Sequence, residues 1–211
     1  MSAPDFVCRL GDIDSLLAFF PGVAQPHRED IQDALLYAQQ RAGHLYDFQS
    51  QWHSWIHAYR QHLEGLGFVP RGVVAGDSLV IGTVADLDRA SFRIANPQVM
   101  QRLAELVRDS FTRLEVIEAA QAFFEGRGLS GVRLGSFQIM PCVSTANRDL
   151  SALLCSLRLN VDEYAASGRR LILHFKGAAY HFQPERFAPR REGVCTYLLG
   201  KSRAFITRVE L

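Results

Sequence analysis

The stretch LSALLCSLRLNV, residues 150–161, decides the class of fold because its apolar residues recur with a period of two. Successive side chains of a β-strand point to opposite faces of a sheet, so this period predicts a strand. One face would carry Leu153, Cys155, Leu157, Leu159 and Val161. The other face would carry Ala152, Leu154, Ser156, Arg158 and Asn160. The chain over residues 132–183 is therefore predicted to be mainly β-structure.

A tight hairpin is predicted directly after this strand. In RRLILHFKGAAYHFQ, residues 169–183, the pair Gly177-Ala178 has the length and composition of a two-residue hairpin loop. With that loop, aromatic and aliphatic residues of the two arms share one face of the hairpin. The other face would then hold His174 directly opposite His181.

The first third of the chain has helical rather than strand periodicity. The run SLLAFF, residues 15–20, predicts a short helix that ends before Gly22. Apolar residues at spacings of three and four predict a second helix, which ends at Gly43. A third helix is predicted over residues 48–65. This part of the chain is therefore expected to form a helical layer.

Further elements are predicted between and after these regions. Two β-branched runs around Gly76-Asp77 predict another hairpin. Pro97 predicts the start of a long helix that continues to Gly126, and Pro184 predicts the start of a C-terminal helix. Proline suits the first position of a helix because that position needs no backbone N–H.

The order of these elements predicts a segregated α+β fold rather than an alternating α/β fold. We expect an N-terminal helical layer packed on an antiparallel β-meander with a C-terminal helix. No linker-like segment interrupts the sequence, so residues 1–211 are predicted to form a single domain. Its helical part would be residues 1–67. Residues 68–211 would contain the hairpin, the long helix, the meander and the C-terminal helix.

The composition is that of a globular protein without a strong charge bias. Of 211 residues, 48% are hydrophobic and 21% are charged, and the formal net charge is +1. That balance predicts no general attraction to nucleic acid. The four cysteines include no CxxC pair, which disfavours a structural zinc site. The N-terminus has no signal-peptide pattern, so a cytoplasmic location is expected, although export without a cleavable signal would leave the same pattern.

The sequence QWHSWIHAYRQHLEG, residues 51–65, suggests either a metal site or an aromatic surface. On a helix, His53 and His57 are four residues apart and share a face, a workable spacing for two metal ligands. The glutamate of an HExxH motif is absent, which weakens that interpretation. Trp52, Trp55 and Tyr59 form an apolar stripe at helical spacing. We predict that this stripe packs in the core or contributes to an interface with a partner.

Other patterns give little support for catalysis. His174 and His181, if they face each other in the predicted hairpin, could bind a metal or respond to acid. No serine lies in a GxSxG motif. The glycines of residues 126–135 follow a predicted helix, whereas a phosphate-binding loop precedes one. The sequence therefore predicts no catalytic residue and no cofactor.

These observations favour a non-catalytic interaction or assembly protein that binds a protein partner or itself. An alternative is a membrane-active, toxin-like protein that oligomerises and inserts a hairpin formed by residues 132–161. Strands of this length can span a bilayer in a closed barrel, so membrane contact would follow a conformational change. A second alternative is a metal-dependent hydrolase that uses a histidine cluster of His53, His57 and possibly His44.

Overall fold

The computed structural model describes residues 4–87, 89, 109–112, 115–126, 135–145, 149–162, 169–199 and 205–209. Within these ranges, the strands are β1 (Phe6–Leu10), β2 (Ser15–Phe19), β3 (Phe68–Ile81), β4 (Ser136–Ser144), β5 (Leu150–Val161), β6 (Leu171–Phe182) and β7 (Ile206–Arg208). The helices are α1 (Gln25–Gly43), α2 (Trp52–Glu64), α3 (Val116–Glu125) and α4 (Pro184–Tyr197).

The described strands form one mixed sheet in the order β3-β6-β5-β4-β2-β1-β7. All neighbours are antiparallel except β2 and β4, which run parallel from Ser15 opposite Gln138 to Phe19 opposite Cys142. The predicted α+β fold, a helical layer on an antiparallel meander, is therefore wrong. The chain begins with a β-hairpin and crosses over helices before β4 completes the parallel pair, which makes the fold mixed α/β.

The run predicted as the first helix is the strand β2. All five residues of Ser15–Phe19 are buried. Leu17 and Phe19 pack into the core on one face of the sheet, and Leu16 and Ala18 pack into the core on the other. A strand that is buried on both faces has no polar phase. Its period therefore cannot distinguish it from a short buried helix.

Neither predicted hairpin forms. Gly177 and Ala178 lie inside the continuous strand β6, where they pair with β3 on one side and with β5 on the other. Gly76 lies inside β3, where the register shifts between Val74 and Asp77. Glycine within a strand often marks such an irregularity rather than a turn.

Other predicted elements are confirmed. The alternating segment forms β5 over Leu150–Val161, and Pro184 begins α4. The helix predicted over residues 48–65 is present as Trp52–Glu64. Of the long helix predicted from Pro97 to Gly126, the described residues 109–112 are helical, and α3 begins again after Glu115, whose φ of 57° interrupts the helix.

Helices cover the two faces of the sheet at different ends. On the face that we call the α1–α2 face, α1, α2 and α4 cover residues such as Met140, Leu154 and Tyr180. On the opposite face, α3 and Phe111 belong to the core that contains Leu157. One half of the α1–α2 face carries apolar side chains, and the other half carries mainly polar ones. We call the remainder the polar half, which consists of Ser15, Ser78, Ser136, Gln138, Ser156, Arg158, Asn160, His174 and Lys176.

Candidate functional site: an acidic cleft at the end of α1

A cleft of about 490 Å³ opens where the β1–β2 turn meets the C-terminal end of α1. The loop between α1 and α2 and the residue Phe205, just before β7, complete its walls. This volume falls within the range of ligand-binding pockets. The lining residues are Asp12, Ile13, Asp14, Gln39, Gln40, Gly43, His44, Tyr46, Asp47, Phe48, Gln49, Trp55 and Phe205.

The cleft is acidic. Asp12 and Asp14 come from the β1–β2 turn, and Asp47 comes from the loop after α1. None of the described lining residues is a lysine or an arginine. The C-terminal end of α1 adds the negative pole of a helix dipole. These charges favour a positively charged ligand over an anion.

The Asp47 carboxylate is fixed in its charged form. Its Oδ1 atom accepts hydrogen bonds from the hydroxyl and the backbone N–H of Ser50, each at 2.6 Å. Hydrogen bonds to a carboxylate stabilise its ionised state, so they lower the pKa of Asp47. Asp47 therefore remains charged throughout the neutral and mildly acidic range.

Two glutamine side chains bring acceptors without partners to the cleft. Gln39 is 2% exposed, and its Nε2 donates to the Leu10 carbonyl at 3.1 Å. The Oε1 atoms of Gln39 and Gln40 are buried and accept no hydrogen bond from the described residues. An unsatisfied buried polar atom costs about 1–3 kcal/mol. The Gln39 Oε1 atom lies against Gly11, so a ligand that donates hydrogen bonds would remove this cost only after the side chain turns towards the cleft.

Aromatic rings form the inner wall of the cleft. The ring centroids of Phe48 and Trp55 lie 4.6 Å apart, and Trp55 stacks on Tyr59 at 4.8 Å with an interplanar angle of 26°. Phe205 and Tyr46 add apolar surface nearer the opening. The negative face of an aromatic ring attracts a cation. The aromatic wall therefore favours a positively charged ligand, as the carboxylates do.

The aromatic stripe predicted from the sequence is buried in the chain's own core. Trp52, Trp55 and Tyr59 are 2%, 1% and 0% exposed. The Tyr59 hydroxyl donates to the Met140 Sδ atom at 3.4 Å, and burial raises the Tyr59 pKa well above its usual range. Of the three residues, Trp55 reaches the cleft. Their role at an interface with another chain stays a prediction.

The structure separates the histidine pair predicted in a hairpin. His174 and His181 lie on the single strand β6, where an odd spacing of seven places them on opposite faces of the sheet. The proposed opposition of their rings is therefore wrong, because the loop it required does not exist. His181 instead approaches Asp149, with 3.9 Å between Nε2 and Oδ1.

His53 and His57 are both exposed on α2. His53 approaches basic residues of the sheet rather than a third ligand, since Lys176, Arg158 and His174 all act on its pKa. No group of three or more His, Cys, Asp or Glu side chains that could hold a metal ion occurs among the described residues. Metal binding by these histidines stays a prediction.

The cysteines are held as neutral thiols. Cys8, Cys142 and Cys155 are buried, and burial raises the pKa of each thiol, to about 11 for Cys8 and about 12 for Cys155. Cys195 is exposed on α4, and partial desolvation together with Asp33 also raises its pKa. Since the thiolate is the nucleophile, none of the four is activated for attack.

Comparison with known proteins adds no family to this description. A scan against models of protein families gives no match, and a search of curated proteins gives no similar sequence.

The cleft itself could not be found from sequence. Asp12 and Asp14 have the ordinary pattern of a turn, and only the tertiary fold brings them beside Gln39 and Trp55. No helix in the described part of the chain is long and apolar enough to cross a membrane.

Proposed function

We propose that this protein acts by binding rather than by catalysis, and that its acidic cleft receives an arginine side chain of a partner protein. The observation that carries the proposal is the convergence of carboxylates, unpartnered amide oxygens and aromatic rings in one cavity. Each of these three features selects for a cation that donates hydrogen bonds. Because all three features occur in one cleft, the favoured ligand is a cation that donates hydrogen bonds.

Arginine suits the cleft better than lysine does. Its planar guanidinium donates five hydrogen bonds and can stack on an aromatic ring at the same time. Asp14 and Asp47 offer charged acceptors, while Gln39 offers a neutral, buried acceptor. An ammonium group is more strongly hydrated and has no flat face to place against the half-buried ring of Tyr46.

The binding is expected to be weak for one side chain alone. Exposed ion pairs contribute only about 0.2–1 kcal/mol each, because water and salt screen them. If the Gln39 side chain turns to offer its buried oxygen to a donor, that bond contributes more, about 1–3 kcal/mol. A single arginine analogue should therefore bind at millimolar concentrations. Additional residues of a partner would be needed for tighter binding.

The test uses N-acetyl-arginine amide and its neutral isostere N-acetyl-citrulline amide. Followed by NMR of the indole N–H of Trp55, the arginine analogue should give saturable shifts, and citrulline should bind at least about tenfold more weakly. Asp14→Asn should weaken arginine binding. The matched control is Glu192→Gln, which removes one exposed charge from α4, away from the cleft. Equal binding of both analogues, or unchanged binding to Asp14→Asn, would reject the proposal.

No observation gives comparable support to the two alternatives. The segment of the membrane-active alternative includes β4 and β5, both internal strands with neighbours on either side. Insertion would require these strands to leave the middle of the sheet and expose two cores. The metal-dependent hydrolase would need ligands that the described residues do not bring together. Both alternatives stay untested predictions.

A further inference from the structure

Basic side chains gather on the polar half of the α1–α2 face. Arg158 on β5 lies directly opposite His174 on β6, and Lys176 follows His174 on the same face. Opposite side chains of an antiparallel pair lie about 5 Å apart, and diagonal neighbours about 7–8 Å apart. The first turn of α2, which carries His53, lies beside them, since the Trp52 ring centroid is 5.8 Å from Lys176 Nζ. We call these four residues the basic cluster.

Among the described residues, none of the charged groups that act on the two histidines of the basic cluster is acidic. The charged groups that act on His53 are Lys176, Arg158 and His174, and the one that acts on His174 is Arg158. Burial is the first cause that lowers the pKa of both imidazoles, and these cations lower it further. Because a lowered pKa leaves both imidazoles uncharged at neutral pH, the positive charge of the cluster comes from Arg158 and Lys176. An anion bound beside these two side chains would be attracted by both.

Several hydrogen-bond donors at the cluster are available. Arg158 uses Nε to donate to Asn160 at 3.1 Å, and its terminal nitrogens donate to no described residue. Ser136 lies opposite Arg158, and its buried hydroxyl has no partner among the described residues. The Lys176 Nζ atom lies 5.8 Å from the ring centroid of Trp52, the first residue of α2.

The start of α2 also favours the binding of an anion. Gln51 makes no side-chain capping bond, and the first turn of α2 contains no acidic residue. The first N–H groups of a helix lack partners within the helix and carry the positive end of its dipole. Because His53 belongs to this turn, the helix end and the basic cluster border the same surface.

We propose that the basic cluster is a binding site for the phosphate group of a small molecule. Arginine, lysine and a helix N-terminus are the groups that bind phosphate in proteins. A nucleic-acid polymer is a poorer fit, because α2 bounds the cluster on one side and the net charge of +1 provides no extended positive field. The cluster adjoins the acidic cleft through Gln49, which bonds the backbone of Ser136, but the proposal does not depend on the function proposed for that cleft.

The test is a titration with inorganic phosphate, followed by NMR of the histidine rings and of the Trp52 indole N–H. Saturable shifts at His53 and His174 are expected, with little change at the remote His27. Arg158→Gln and Lys176→Gln should each raise the dissociation constant by about tenfold. The matched control is Arg190→Gln on α4, which removes one exposed positive charge and should leave the constant unchanged.

Three results would overturn the proposal. Shifts that increase linearly with phosphate concentration would indicate an ion atmosphere only. Equal saturation of wild type and of both cluster variants, each confirmed as folded by its backbone spectrum, would exclude the cluster as the site. A single-stranded oligonucleotide that binds more tightly than phosphate, with strong salt dependence, would make the ligand a polymer. Chloride at equal ionic strength serves as the blank titration.

Discussion

At the scale of single residues, the cleft depends on a glycine that allows a buried amide to approach the backbone. Gly11 has φ of +80°, a conformation that L side chains rarely adopt. A Cβ atom at this position would also collide with the Oε1 atom of Gln39. The turn that carries Asp12 and Asp14 can therefore lie against α1 only if residue 11 has no side chain.

The first prediction at this scale concerns Gly11→Ala. Strain of the left-handed conformation costs about 1–2 kcal/mol, and displacement of Gln39 adds to it. We expect the free energy of unfolding in urea to fall by about 2 kcal/mol or more. The control is Gly193→Ala on α4, where no atom lies within 4 Å of the new Cβ. That change should be neutral or stabilising, since alanine favours helix. A Gly11→Ala protein as stable as wild type would contradict this explanation.

The basic cluster illustrates what single residues in a sequence do not reveal. Arg158 and Lys176 belong to different segments, and each has an ordinary alternating environment in its own strand. Only the register of β5 against β6 brings them onto one face. His53 comes from a helix whose position on the sheet depends on its buried tryptophans. Sequence patterns identified β5 and α2, but they divided β6 into a hairpin and did not give the relative placement of the three elements.

At the scale of elements, the correct predictions concern segments whose apolar side chains recur regularly along the strand, or whose first residue marks the start of a helix. The alternation in β5 and the proline at the start of α4 are local properties, so the sequence alone was sufficient. The failures have two causes. The strand β2 is buried on both faces, so its composition is also that of a short buried helix. In β6 the buried side chains change from one face of the sheet to the other at Gly177 and Ala178, and this change has the composition of a turn.

The packing of α4 against α1 gives the prediction at this scale. The Arg191 guanidinium binds Asp30 through two bonds, Nε to Oδ1 at 2.7 Å and a terminal nitrogen to Oδ2 at 2.6 Å. Asp30 is buried, and the pair raises the Arg191 pKa. Arg191→Ala would leave Asp30 without its partner. A loss of stability larger than that of an exposed-arginine variant is expected, because the buried Asp30 carboxylate would lack its charged partner.

The measurement for Arg191→Ala is urea unfolding beside two further variants. Arg191→Lys should recover part of the loss, because lysine keeps the charge but cannot form two parallel bonds. Arg190→Ala removes the neighbouring exposed arginine and should change stability by less than about 0.5 kcal/mol. If both alanine variants lost the same stability, the ion pair with Asp30 would not be the cause.

At the scale of the whole molecule, histidines link stability to pH. Burial is the main cause that lowers the pKa of His53, His62 and His174, and nearby cations contribute. The unfolded chain therefore binds more protons than the folded chain just below the ordinary histidine pKa of 6.5. The sign follows from linkage: stability is complete above pH 6.5 and decreases as the pH falls from 6.5 through the lowered pKa values.

We therefore expect the free energy of unfolding to be smaller at pH 5.5 than at pH 7.5, about one unit below and above the histidine pKa. Urea titrations at the two pH values measure the difference. His174→Gln, which keeps a hydrogen-bonding group near Ser78, should reduce the difference by removing one of the three contributions. A stability that stayed constant, or increased, on acidification would show that the histidines are not more acidic in the folded chain.

The parallel pairing of β2 with β4 also constrains the order in which the protein can fold. Leu17 of β2 lies opposite Met140 of β4, more than half of the chain length away. A ribosome therefore delivers the β1–β2 hairpin long before the strand on which it docks. An isolated hairpin is marginally stable in water, and contacts between distant parts of a chain form slowly. During synthesis, the apolar strand β2 is therefore exposed before β4 is available to pair with it. An unpaired apolar strand can associate with another chain, so a cell that makes this protein must prevent this aggregation.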